Sequence, residues 1–154
     1  MEQNHLHHNA QKNKDLLQLI NFETDIKLLK KDDFVRYNEN SFKKEWGIDP
    51  IRIIDLKALM GDASDNIPGV KGVGEKTALK LLRDYGSLEN VYDNIDKIKG
   101  ALHEKLVSDK DNAFMSKEIA TIYQDVPLNV NFEDLKYLGP QKSLMDTFKD
   151  LEFY

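Results

Sequence analysis

One segment constrains this chain more than any other. It is Met60–Leu82, MGDASDNIPGVKGVGEKTALKLL, where Gly61, Gly69, Gly72 and Gly74 crowd together. Glycine reaches backbone angles closed to other residues and lets a second backbone come close. Such a segment turns between two helices rather than extending either. Ahead of it, Asp49-Pro50 is a helix start, with Asp as cap and Pro in the first turn. Ile51, Ile53, Ile54, Leu56, Leu59 and Met60 make that helix apolar on most of its circumference, which predicts a buried helix stopped by Gly61. After it, Glu75–Tyr85 predicts a helix with Ala78, Leu82 and Tyr85 on one face and Gly86 at its end. Ile67–Gly74 is then a hairpin between helices, and Val70 and Val73 are placed to plug it into a core.

Three kinds of chemistry overlap here. Successive backbone N–H groups in a Gly-rich turn that runs into a helix N-terminus make an anion site, and a phosphodiester is its natural occupant. The plain alternative is a structural turn. Lys71, Lys76, Lys80 and Arg83 against Glu75 leave a local charge of +3 between residues 71 and 83. A basic stripe beside such a hairpin suits contact with a DNA backbone without base reading. The alternative is a solvated helix face. Finally, Asp62 and Asp65 stand three apart just past a helix end, spaced to share Mg²⁺ or Mn²⁺. Metal-assisted phosphodiester hydrolysis needs such carboxylates. The alternative is Asx-turn duty in a loop.

The remaining sequence frames this segment. A chain of 154 residues is one domain's worth. Its net charge of −5 argues against histone-like coating of nucleic acid but leaves room for a local basic patch. There is no Cys, which removes disulfides, thiolate zinc sites and Cys nucleophiles. No apolar run is long enough to span a membrane, and MEQNHLHHNA is no secretory signal, so a cytoplasmic protein is expected. The polar start, with His5, His7 and His8, reads as a disordered tail over 1–12 rather than a metal site. Asp15–Ile20 reads as a short helix. Asp25–Leu29 and Phe34–Tyr37 read as two short strands, which need a larger partner sheet.

From residue 38 the pattern is helical. Asn38 caps a helix that Gly47 ends, and Ser87 caps another. Ser108-x-x-Asp111 resembles a capping box opening a helix through Ile122. Asn131 and Gly139-Pro140 open two last helices, the final one carrying Leu144, Phe148 and Leu151. Trp46, Tyr85, Phe114 and Phe148 read as core rather than as stacking platforms for bases.

Residues 60–82 resemble the helix–three-turn–helix signature of the 5′-3′ exonuclease family, the nuclease type found at the N-terminus of bacterial DNA polymerase I and in flap endonucleases. Lys14–Leu19 resembles the end of that family's catalytic sheet region. Ser116–Pro127 and Met145–Phe153 resemble its C-terminal helices. The implied fold is mainly α: a helix-hairpin-helix DNA-binding domain over 38–154, with a small α/β stub over 13–37 left from the nuclease domain. The resemblance implies work in DNA replication or repair on duplex, flapped or nicked DNA, with phosphodiester hydrolysis by divalent metal ions. It assigns Asp15, Asp62 and Asp65 to the metal ligands, in Mg²⁺ or Mn²⁺ form. It assigns Gly69, Lys71, Gly72, Gly74, Lys76, Thr77, Lys80 and Arg83 to the grip on DNA. In relatives the hairpin can also hold K⁺ through its carbonyls.

Two departures from the family pattern matter. Asn13 stands where the family has Asp, and an amide is a weaker metal ligand than a carboxylate. The front of the nuclease, with its remaining acids and helical arch, has no counterpart in these residues, so a separate chain carrying that half is an expected partner. Three functions are therefore in play. One is the C-terminal part of a 5′-3′ exonuclease. Another is a DNA-binding module that no longer cuts, the expectation for this polypeptide acting alone. The third is a helical interaction domain with a purely structural hairpin. No catalytic residue beyond the metal ligands is expected.

Overall fold

The computed structural model describes residues 7–11, 14–30, 33–137, 139–140 and 143–153. The chain divides into two compact units, residues 1–122 and 123–154. The first unit opens with a three-stranded sheet in the order β1-β2-β3: β1 (His7–Gln11), β2 (Thr24–Lys30) and β3 (Asp33–Tyr37). β1 runs parallel to β2, and β3 antiparallel to it with Ile26 opposite Tyr37. β2 and β3 are the two expected strands. β1 corrects the reading of 1–12 as a disordered tail: five of its residues pair with β2, whose other edge would otherwise expose its ladder. Strand pairing uses backbone groups, so the polar HHNAQ sequence gave no signal. The rest of that tail, and Asn13, lie outside the described residues.

A 3₁₀ turn at Lys14–Leu19 follows β1, buries Leu17 and Gln18, and places Asp15 in its first turn. Then come α1 (Glu39–Trp46), α2 (Ile53–Met60), α3 (Glu75–Tyr85), α4 (Leu88–Asp93), α5 (Ala101–Ser108) and α6 (Lys110–Ala120). Asn38 caps α1 in a reciprocal pair with Ser41, and Gly47 ends it in the left-handed conformation. Asp49-Pro50 starts not an α-helix but a 3₁₀ turn, Pro50–Arg52, that passes into α2. The Asp49 carboxylate makes no cap; it accepts from Lys43 Nζ at 2.7 Å instead. The expected capping box at Ser108 is also absent. The break between α5 and α6 falls there, but Asp109 is the cap residue and its side chain is used elsewhere.

The core of this unit gathers Leu17, Phe42, Leu59, Val70, Leu88 and Leu106, all fully buried. Each such side chain contributes roughly 1.5–3 kcal/mol. α2 lies inside this core, as its sequence requires, and packs against α3 and α6. It buries two charges as well. Asp55 is met by Lys117 of α6 at 2.7 Å and by Arg52 at 3.0 Å. Lys57 points the other way, into the site described below. Trp46 stacks on Phe42 with ring centroids 5.5 Å apart, and Phe114 packs on Tyr92 at 5.3 Å, so these aromatics are structural.

The second unit holds a 3₁₀ turn, Phe132–Leu135, opened by an Asn131–Asp134 capping box, and α7 (Ser143–Asp150). Phe148 was expected in a core, with Leu144 and Leu151 carried on the same last helical segment. All three are exposed, at 37%, 38% and 58%. A segment this short buries too little to cover its own apolar face. Among the described residues, no helix is long and apolar enough to cross a membrane.

Candidate functional site

The C-terminus of α2 builds the site. Gly61 ends the helix at φ +72°, and the chain then closes on itself through a two-bond bridge: Asp62 N–H donates to Ile67 O and Ile67 N–H to Asp62 O, both at 2.9 Å. The loop pinched off between them carries Asp62 and Asp65. Asp62 Oδ1 accepts from the Ser64 amide at 2.9 Å and the Ser64 hydroxyl at 2.6 Å, an Asx turn. Its other oxygen faces inward. Asp15 arrives from the 3₁₀ turn that precedes β2. Carboxylate oxygens of Asp15, Asp62 and Asp65 lie within 4.8 Å of one another. The two readings of Asp62 and Asp65, ligand and turn-former, are thus compatible: one oxygen of Asp62 shapes the loop and the other joins the cluster.

At the centre of the three acids sits the Lys57 ammonium. It lies 2.8 Å from Asp62 Oδ2 and 3.0 Å from Asp65 Oδ2, and it bonds Asp15 Oδ1 as well. The Lys57 side chain is only 7% exposed. Its hydrogen bond, helped by Ser64, holds the Asp62 carboxyl down to about 2 from its ordinary 3.8. A carboxyl depressed in this way stabilises the fold above its unfolded value, and the contribution fades as pH falls toward the folded one. The amount is on the order of 2 kcal/mol. The expected result, in chelator and by circular dichroism, is a melting temperature that drops more steeply between pH 4 and 2 for the native chain than for Asp62→Asn. Parallel curves would mean the pairing contributes nothing.

A cavity of about 590 Å³ opens on this cluster, lined by Lys14, Trp46, Lys57, Asp62, Asp65 and Glu75 among others. The donor set fits a hard divalent cation: three carboxylates, all oxygen, already gathered around one positive charge. Lys57 and Glu75 were missed in the sequence. A single Lys inside a mostly apolar helix was the available signal for Lys57.

The hairpin next to the cluster is more tightly held than its glycines suggest. Gly69 N–H donates to Ser116 Oγ at 3.0 Å, Val70 N–H to Leu59 O at 2.9 Å, Lys71 N–H to Asp109 Oδ2 at 2.8 Å and Val73 N–H to Val70 O at 3.1 Å. These four amides are spent within the protein, which corrects the picture of a hairpin lined throughout with bare donors. The Gly69 amide is thus occupied within the protein. The residue's φ is +60°, and a Cβ there would run into the Gly61 backbone, so it is a packing glycine. Gly72 has φ +76°, and its carbonyl accepts from Lys105 Nζ at 3.0 Å. Val70 and Val73 are buried as expected.

What remains open is the start of α3. Gly74 caps it without a side chain, and a Cβ there would meet open space. The amides of Glu75, Lys76 and Thr77 are first-turn donors without helical partners. Lys71, Lys76 and Lys80 are exposed and Thr77 is half-buried. Among the described residues, Lys76 and Lys80 have no ion-pair partner. Arg83 is engaged within the protein: its Nε and Nη2 donate to Trp46 O at 3.2 and 2.5 Å, closing the end of α1.

Comparison with known proteins identifies the family of the sequence. Residues 48–143 match the family model described as 5′-3′ exonuclease, C-terminal SAM fold. The chain is 46% identical over 140 residues to DNA polymerase I of Streptococcus pneumoniae, covering 89% of this chain and 16% of the relative. It is 49% identical over 145 residues to DNA polymerase I of Caldicellulosiruptor bescii, covering 91% and 17%. The chain therefore spans about a sixth of the length of these curated relatives. Among solved structures, the T5 5′-exonuclease with bound zinc superposes with a TM-score of 0.60 at 24% identity, over 73% of this chain and 42% of that one. The catalytic core of Rad2 with its DNA substrate gives a TM-score of 0.60 at 18% identity, over 94% and 52%. These likenesses concern the fold. A helical hairpin set against a gathered acid cluster, in a sequence that matches the family's model over most of its length, makes this chain a member of the 5′-3′ exonuclease family, carrying its C-terminal helical domain.

Proposed function

We propose that this chain is the part of a metal-dependent 5′-3′ exonuclease or flap endonuclease that grips duplex DNA by its backbone and supplies Asp15, Asp62 and Asp65 as metal ligands. The observation that carries the reading is the convergence of those three carboxylates, one from the turn before β2 and two from the loop after α2, beside the open start of α3. A phosphate at that helix start meets the amides of Glu75, Lys76 and Thr77, with Gly74 leaving room for it. Lys71, Lys76 and Lys80 add charge along the same path. None of these groups reads a base, so recognition is by structure rather than sequence. Asp15, Asp62 and Asp65 would hold Mg²⁺ or Mn²⁺, which when bound activates water and steadies the leaving oxygen. K⁺ at the hairpin would compete with Lys105 for the Gly72 carbonyl. The relatives named DNA polymerase I support a place in DNA replication or repair.

A second reading, a duplex-binding module that does not cut, is favoured by the count of acids. Three are gathered among the described residues, and hydrolysis with two metal ions draws on more. A labelled 5′-flap duplex separates the cases. Fluorescence anisotropy should show binding that Mn²⁺ strengthens, and Asp62→Asn should remove the metal effect while leaving metal-free binding. A metal effect that survives Asp62→Asn would overturn the ligand assignment. Hydrolysis of the flap that Asp62→Asn abolishes would establish the nuclease reading for this chain by itself.

A further inference from the structure

The Lys57 ammonium occupies the one point that all three acids of the cluster reach. This is an unusual place for a lysine. Its side chain is 7% exposed, on a helix whose only other buried charge, Asp55, is paired with Arg52 and Lys117. Three carboxylates this close repel one another unless a cation stands between them. Lys57 is that cation, and it keeps the cluster assembled in the absence of metal. A divalent ion held by the same oxygens has to take the same point, and two cations cannot share it.

We propose that Lys57 is a resident counter-ion, and that metal loading at Asp15, Asp62 and Asp65 is an exchange in which the incoming divalent ion expels the lysine ammonium. The proposal rests on the metal reading above. The surroundings provide a way out. The cavity of about 590 Å³ that opens on the cluster is lined by Lys57 itself, by Ala63 and Ser64, and by the Glu75 carboxylate. Four methylenes let the ammonium swing into that space, where Glu75 is the acceptor at hand. Lys14, the other cation lining the cavity, opposes the move. The consequence is a raised threshold: the site fills only where divalent ion is abundant enough to win the exchange, and the empty site stays folded rather than splayed by its own charge.

The test uses the full chain and Mn²⁺, with free ion read by electron paramagnetic resonance. Lys57→Met, which keeps length but not charge, should bind Mn²⁺ about tenfold more tightly than the native chain, or better. Equal or weaker binding overturns the proposal. Because Lys57→Met leaves the acids without their cation and could fail to fold, a second measurement uses the native chain. Reductive methylation of lysines, followed by mass spectrometry, should modify Lys57 slowly without metal and about tenfold faster with Mn²⁺ bound, as the amine is released to solvent. A Lys57 rate that does not respond to bound Mn²⁺ is equally fatal. Mn²⁺ binding that Asp62→Asn removes but that leaves Lys57 unmoved sinks this proposal alone. Mn²⁺ binding indifferent to Asp62→Asn sinks the metal reading and this proposal with it.

Discussion

Gly69→Ala should cost about 3 kcal/mol of stability and lower the melting temperature by about 10 °C. Two effects add. The residue sits at φ +60°, where a side chain is strained, and its Cβ would collide with the backbone at Gly61 and Met60. Neither partner can yield, because Gly61 N–H is bonded to Lys57 O and Gly69 N–H to Ser116 Oγ. The control is Gly74→Ala, the same change a few residues on. There the φ is −96°, the Cβ meets nothing within 4 Å, and the melting temperature should move by only a degree or two, roughly the small cost of alanine at a helix cap. Thermal unfolding of the two variants side by side decides it. Equal destabilisation would mean that the hairpin and the end of α2 are not in the contact described.

The double change Lys76→Ala, Lys80→Ala should weaken duplex binding roughly 50-fold at about 0.1 M salt and flatten the dependence of log affinity on log salt by about 2. Each lysine is exposed on α3, i and i+4 on one face, and is not drawn into an ion pair among the described residues, so both charges are available to phosphates. The loss should be similar for unrelated base sequences of the same duplex structure. Arg83→Ala makes the contrast: its guanidinium is engaged with Trp46 O, so it should affect the stability of the α1 end more than the salt slope. An unchanged salt slope in the double variant would remove α3 from the DNA interface.

The sequence was most legible where structure is local. Asn38 with Ser41, Gly47, Ser87 and Gly61 act through neighbours within a turn, and each stands where its residue type predicts. The apolar run likewise announced a buried helix, although the helix begins at Ile53, and Ile51 lies in the preceding 3₁₀ turn, exposed. What escaped was decided at long range. Asp109 reaches the Lys71 amide across 38 residues and Ser116 the Gly69 amide across 47, and these bonds turn half of an apparently open hairpin inward. No spacing rule anticipates such pairs. Asp62 and Asp65 were legible as a pair past a helix end, and Asp15 was joined to them only through the family resemblance; the meeting itself depends on the turn before β2 and on Lys57. β1 was illegible for another reason: strand pairing runs through backbone groups, which every residue carries.

The contact between Gly61 and Gly69 has a geometric consequence. The end of α2 that leads into Asp62 and the turn that leads into α3 are one rigid piece, fastened also by Val70 N–H on Leu59 O at 2.9 Å. Distance from the helix that would hold a strand to the carboxylates that would act on it is therefore fixed by covalent chain and close packing. In the proposed complex such a piece would work as a ruler, measuring along a sugar–phosphate track in ångströms, whatever letters the track spells.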